Sequence, residues 1–268
     1  MQKRIAECRW HVRPQLGVHW WLSDPSWAPV CEDASRHIIN PNLIATEALL
    51  KMGRRRLVFT TTTSDQQPSA VVKAFPADDL ARRFNNKKYA FSEAANLIQA
   101  SRLGVPVPTV AGWGQCRFRR RAWSAVLMER ITGDSFADLI ISHRADSDIL
   151  QRCVQLLLRL YQTGVNHIDL RADALFFGAD ESADRIIDFQ YCSFRPKPSL
   201  TTFLAQIGHF LYWWENQLSR SDAMEEWLSR MISTLHALES VAISELDLRA
   251  HLDRNRAQLK SSSTRLFQ

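Results

Sequence analysis

The hydrophobic pattern changes its period at Ile131-Thr132-Gly133, and this change limits the chain to a mixed architecture with its strands first. Upstream, short β-rich runs are separated by turn residues. They comprise Ala48 to Lys51 before a Met52-Gly53 turn, Leu57 through a threonine run to Thr63, Ala70 to Phe75, Thr109 to Gly114 and Trp123 to Met128, with a Ser64-Asp65-Gln66-Gln67-Pro68 turn between the second and third. These five segments predict a small antiparallel sheet. Residues Asn86 to Leu103 carry helical spacing and stop at Gly104, a residue suited to a left-handed cap. Val105-Pro106-Val107-Pro108 must be extended, because a residue before proline is pushed out of the helical region.

Downstream, Leu150, Val154, Leu157, Leu158 and Tyr161 form one helical stripe that ends at Gly164. Helices are also expected over Leu200–Leu218, Asp222–Ala237 and Ser244–Lys260, with short strands at Ala174–Phe177 and Arg185–Asp188. The result is an α+β chain of two lobes: an antiparallel-sheet lobe with one helix over residues 42–130, and a mainly helical lobe over residues 131–268. Residues 1–41 hold Pro14, Pro25, Pro29 and Pro41 without a clean period and read as an irregular arm.

At 268 residues, with 46% hydrophobic and 23% charged content, the chain is an ordinary folded protein by composition. A formal charge of +6 and a pI near 9.3 favour an anionic partner. Basic residues gather at Arg54-Arg55-Arg56, at Arg82, Arg83, Lys87 and Lys88, and at Arg117, Arg119, Arg120 and Arg121. Five widely spaced cysteines without a C-x-x-C pair imply reduced thiols rather than a zinc or redox centre. The first ten residues lack an apolar h-region, and the apolar stretch Leu200–Trp214 is too short to cross a bilayer, so a cytoplasmic location is expected. The nine tryptophans are read as packing residues.

Chemistry enters with Asn166-His167-Ile168-Asp169-Leu170 and, nineteen residues after Asp169, Ile187-Asp188-Phe189. A lone aspartate beside a strand is ordinarily a turn or cap residue. Two at this spacing, one with a histidine two places upstream, match a phosphotransferase layout. One carboxylate takes the proton of an attacking hydroxyl and the other holds the magnesium that bridges the ATP phosphates. Upstream partners follow in order, with Lys73 on a strand and Glu93 twenty residues later on a helix. A nucleotide would lie between the two lobes, with Lys73 on its α and β phosphates and Glu93 fixing the lysine.

The chain resembles the lipopolysaccharide core kinases, which include the Kdo and heptose kinases and share the protein-kinase-like fold. The resemblance spans about residues 47–215. It rests on Val72-Lys73, on Glu93 followed by Leu103-Gly104-Val105-Pro106-Val107-Pro108, on Met128-Glu129-Arg130-Ile131, on His167-Ile168-Asp169-Leu170 and on Ile187-Asp188-Phe189. It implies transfer of the ATP γ-phosphate to an inner-core sugar hydroxyl, with ATP and Mg2+ as cofactors. Asp169 would be the base and His167 would brace its loop. Lys73 and Glu93 would serve the phosphates, the stretch at Glu129 and Arg130 would face the adenine, and Asp188 would hold the metal. The partner would be lipopolysaccharide core or another phosphate-accepting sugar, met at the cytoplasmic face of the inner membrane, where basic clusters suit an anionic surface. No nucleic-acid partner is expected.

Three departures stand out. Ala174 occupies the position, five residues after Asp169, where kinases usually carry a metal-binding Asn, and a methyl group cannot coordinate a cation. Either Asp173 would be the substitute ligand after a local backbone adjustment, or magnesium would rest on Asp188 and the phosphates alone. Gln190 replaces the glycine that usually follows Asp-Phe, and Gly53 is the only glycine in the nucleotide-covering stretch. A catalytically inactive relative that binds nucleotide or a partner in envelope biogenesis is therefore one alternative. A small-molecule kinase of the aminoglycoside or choline type is another, since it shares the catalytic layout and differs in acceptor.

Overall fold

A computed structural model describes residues 8–14, 17–53, 56–61, 70–76, 80–118, 121–218, 221–239 and 244–266. The chain divides into two compact units, one made of Met1–Arg102 with Val107–Ile131 and the other of Leu103–Pro106 with Thr132–Gln268.

The first unit contains β1 (Trp10–Val12), β2 (Val18–Leu22), α1 (Ala28–Ile39), β3 (Leu49–Met52), β4 (Leu57–Thr61), β5 (Ala70–Pro76), α2 (Leu80–Arg102), β6 (Val110–Phe118) and β7 (Arg121–Glu129). Its strands form one antiparallel sheet in the order β1-β2-β6-β7-β5-β4-β3. The five expected strands are present. Residues 10–39, read from their prolines as an irregular arm, instead supply two further strands and α1. Pro29 sits in the first turn of α1, where its missing N–H breaks no helical hydrogen bond, and Asp24 accepts from the Ser26 N–H at 2.8 Å just upstream. The helix α2 begins six residues earlier than its expected start at Asn86.

Alternation along the strands sends two sets of side chains to opposite faces. Val18, Trp20 and Leu22 of β2, Val72 and Ala74 of β5 and Ala125 and Leu127 of β7 pack with Val30, Cys31, Ala34 and Ile38 of α1 in one buried core. The Trp20 indole N–H donates to Ser35 Oγ at 3.0 Å, which satisfies the one polar atom this large ring buries. Gly114 stands opposite Trp20 in the β2–β6 register, and a Cβ there would meet the ring at 2.5 Å. The other face of β5 carries Lys73 and Phe75, with the Phe75 ring tilted against that of Tyr89 of α2 at 5.8 Å. The Ser64–Pro68 turn, the threonines beyond Thr61, and Arg54, Arg55, Arg119 and Arg120 lie outside the described residues. So do the side chains of Arg82, Arg83, Lys87, Lys88, Arg117 and Arg121.

The second unit holds β8 (Asp134–Ser135), α3 (Phe136–Ile141), α4 (Ser147–Gln162), β9 (Val165–His167), β10 (Leu175–Phe177), β11 (Arg185–Ile186), β12 (Cys192–Phe194), α5 (Leu200–Gln217), α6 (Ser221–Glu239) and α7 (Glu245–Leu266). The stripe predicted on α4 is buried, and its N-terminus is capped by Asp146, which accepts from the Ile149 N–H at 2.9 Å. Gly164 ends the turn after α4 with φ at 68°, and a Cβ there would lie 2.5 Å from the Arg195 carbonyl. Phe136, Phe210, Trp214 and Trp227 interlock at the centre with ring separations of 5.1 to 6.3 Å. Two small sheets, β11-β10-β8 and β12-β9, display the loops on which the predicted aspartates sit. Among the described residues, no helix is long and apolar enough to cross a membrane.

A buried ion pair underlies these loops. Arg152 of α4 forks onto Asp184 just before β11, with Nε 3.0 Å from Oδ2 and Nη2 on Oδ1, and Nη2 also donates to the Gly178 carbonyl at 3.0 Å. Asp184 in turn accepts from the Gly178 N–H at 3.2 Å. Both side chains are almost fully buried, so the pair pins the turn between β10 and β11 to α4.

Candidate active-site residues

In the first unit, pairing of β5 with β4 and β7 places Lys73 between Val58 and Val126. Its Nζ donates to Glu93 Oε1 of α2 at 2.8 Å and lies 5.6 Å from the centre of the Phe75 ring. The side chains are 7% and 1% exposed, so this is a desolvated pair rather than a surface contact. An ion pair buried to this degree is expensive to assemble, and burial alone gives a fold no reason to keep it. Glu129 closes the end of β7. Its carboxylate accepts from the Thr109 N–H at 2.9 Å, and its own N–H donates to the Thr109 carbonyl at 2.9 Å. Arg130 follows at the strand end and is exposed.

In the second unit, His167 ends β9 with its side chain completely buried. Its backbone N–H donates to Gln206 Oε1 of α5 at 3.1 Å, and its ring meets Phe189 edge-on at 5.0 Å. Burial holds its pKa below the ordinary histidine value, outweighing the opposing pull of Ile187, Asp188 and Asp169. The imidazole is therefore neutral. Nε2 carries the proton and donates to the Ile187 carbonyl at 2.9 Å, while the buried Nδ1 has no hydrogen-bond partner among the described residues. This bond ties the loop of Asp169 to the peptide that precedes Asp188. Asp188 itself takes a left-handed backbone, with φ 67° and ψ 42°.

Asp169 is half-exposed and sits beside a guanidinium and an imidazole. His209 Nε2 of α5 lies 3.8 Å from its Oδ1, and Arg171 Nε lies 3.7 Å from the same oxygen. The imidazole contact, reinforced by Arg171, holds the Asp169 carboxyl below the usual range against the opposing effects of partial burial and of Asp188. Asp169 is therefore an anion at any physiological pH. Arg171 also contacts Asp173, with Nε 3.5 Å from Oδ1, and its guanidinium stands 5.9 Å over the Trp213 ring. Ala172–Ala174 form a single 3-10 turn in which Ala174 is 3% exposed, so no donor faces outward from that position.

The structure thus brings together Lys73 with Glu93 in the first unit. In the second it brings together His167, Asp169 and Asp173 with the backbone leading to Asp188. It commits the Glu129 carboxylate to the Thr109 N–H, just ahead of β6. Among the described residues, no group of three or more His, Cys, Asp and Glu side chains is arranged to hold a metal ion. Asp188 offers hard oxygen donors of the kind magnesium takes, but the position of Ala174 offers none. Sequence reasoning missed three participants: Arg171, His209 and Gln206. Arg171 lies only two residues from Asp169 and could have been weighed there. His209 and Gln206 fall in the apolar stretch of α5, where one helical turn sets both toward the loop, and only the fold reveals it.

A family model described as "Lipopolysaccharide kinase (Kdo/WaaP) family" matches residues 70–201, a span that includes Lys73, Glu93, His167, Asp169, Arg171, Asp173 and Asp188 but not Gln206, His209 or Trp213. Among solved structures, one titled "WaaP in complex with acyl carrier protein" is similar to this chain, with a TM-score of 0.50 and 12% identity over 88% of this chain and 92% of that one. That likeness establishes the kinase-like fold. No curated protein matches the sequence.

Proposed function

Since this chain belongs to the lipopolysaccharide kinase (Kdo/WaaP) family, we propose that it transfers the γ-phosphoryl group of ATP to a hydroxyl of an inner-core sugar. The observation that carries this reading is the buried Lys73–Glu93 pair at 2.8 Å. Glu93 holds the ammonium in one place, where its charge would offset that of the α and β phosphate oxygens. Asp169 accepts the proton of the sugar hydroxyl as its oxygen bonds to the γ-phosphorus and the bond to the β–γ bridging oxygen breaks, releasing ADP. The low pKa of this carboxyl keeps it in the accepting form. His167 acts as a brace, since a neutral buried ring bonded to a backbone carbonyl has no proton path to a substrate. Asp188 would hold magnesium, whose chemistry is to neutralise charge on the phosphate oxygens.

The second reading is a relative that binds nucleotide without turning it over, and Ala174 is the observation that favours it. Phosphate transfer from ATP to purified lipopolysaccharide core oligosaccharide separates the two, run with the wild type and with Lys73→Met and Asp169→Asn. The kinase reading expects magnesium-dependent transfer that each variant reduces by at least about a hundredfold. Tight ATP binding with no transfer to any core sugar supports the second reading. Sedimentation with anionic and neutral vesicles tests association with a membrane surface, through the salt dependence of any binding.

A further inference from the structure

The loop that follows Asp169 is built around a cation of its own. Arg171 Nε is flanked by Asp169 Oδ1 at 3.7 Å and Asp173 Oδ1 at 3.5 Å, and the guanidinium leans over Trp213. Two of the carboxylates that could serve a metal therefore share one guanidinium. The residue best placed to replace the missing ligand, Asp173, is the one Arg171 holds. Ala174 contributes a buried methyl, so that position supplies no ligand of its own. A divalent cation set beside Arg171 would be repelled by a charge that cannot be deprotonated.

We infer that the site takes one divalent cation, at Asp188, and that the Arg171 guanidinium stands in the second cation's place against the terminal phosphate of the nucleotide. This inference rests on the nucleotide-binding reading above. It explains how a loop with Ala174 can still stabilise the phosphate charge, because a planar guanidinium offers several N–H donors to phosphate oxygens. Asp169 and Asp173 attract it from two sides, and its guanidinium stands over the Trp213 ring. Asp173 is then a positioning residue for Arg171 rather than a metal ligand.

The test counts bound metal directly. Full-length protein is saturated with a non-hydrolysable ATP analogue, and Mn2+ is titrated while free Mn2+ is followed by electron paramagnetic resonance. The wild type and Ala174→Asn should each bind one Mn2+ per nucleotide, and Ala174→Asn combined with Arg171→Gln should bind two. In parallel, Arg171→Gln should weaken the triphosphate analogue about tenfold relative to ADP, with Arg171→Lys recovering part of the loss. Two Mn2+ in the wild type overturn the inference while leaving the kinase reading intact. So does an unchanged ratio of triphosphate to diphosphate affinity in Arg171→Gln. Failure of the wild type to bind any nucleotide in the presence of excess Mn2+ overturns both.

Discussion

Substituting Asp184 by alanine should destabilise the second unit more than any single change at the surface. The carboxylate receives Arg152 Nε at 3.0 Å, Arg152 Nη2 and the Gly178 N–H at 3.2 Å. Without it, a guanidinium only 7% exposed keeps the Gly178 carbonyl and a 3.6 Å contact with Asp148, whose side chain is 70% exposed. An exposed partner of that kind returns less than about 1 kcal/mol. Stranding one member of a buried pair costs about 3–5 kcal/mol, so the net loss should be about 3–4 kcal/mol. For a unit of this size that lowers Tm on the order of 10 °C. Urea unfolding followed by tryptophan fluorescence reads it out, because Trp214 and Trp227 are fully buried in this unit. Arg152→Leu combined with Asp184→Leu should recover most of the loss, since it removes the stranded charge together with its partner. A cost below about 1 kcal/mol for Asp184→Ala, or a double variant no better than the single, would refute the reasoning.

Further outcomes are expected. Because burial lowers the pKa of His167 below its ordinary 6.5, the unfolded chain binds the extra proton first as pH falls. Stability is therefore full above about pH 6.5 and declines below it by up to ~1.4 kcal/mol per pH unit, and His167→Gln should flatten that slope in denaturation curves run from pH 7.5 to 5. His209→Phe removes the main influence that holds Asp169 low, so the acid limb of the pH–rate profile should move upward, and an unmoved limb would show that His209 does not act on Asp169. Gly114→Ala drives a methyl into the Trp20 ring and should cost about 1–3 kcal/mol by thermal unfolding.

The candidate site was more legible in the sequence than the frame that carries it. Lys73, Glu93, Asp169 and Asp188 stand out because each is a charged residue beside or within an apolar run, at spacings that suit strand, helix and loop in turn. The stripe on α4 was readable because its period is undisturbed over three turns. The strand β2 was not, although Val18, Trp20 and Leu22 alternate as a half-buried strand should. Trp21 on the opposite face hides the alternation, and it does so because it stacks on Trp113 at 4.2 Å across the sheet. The prolines around α1 suggest an irregular arm but mark a helix start. The Arg152–Asp184 pair joins residues 32 positions apart with no local period linking them, and His209 enters the loop of Asp169 from 40 positions away on an otherwise apolar helix. Contacts of this kind belong to the tertiary arrangement alone.

The positive φ of Asp188 bears on how its role can be tested by mutagenesis. A side chain other than glycine, asparagine or aspartate resists that conformation by roughly 1–2 kcal/mol, and the His167 bond to the Ile187 carbonyl holds the preceding peptide in place. Alanine at this position would therefore change the shape of the loop as well as removing a carboxylate, and a lost activity could not be assigned to either. Asparagine tolerates the same turn, so only that replacement isolates the charge.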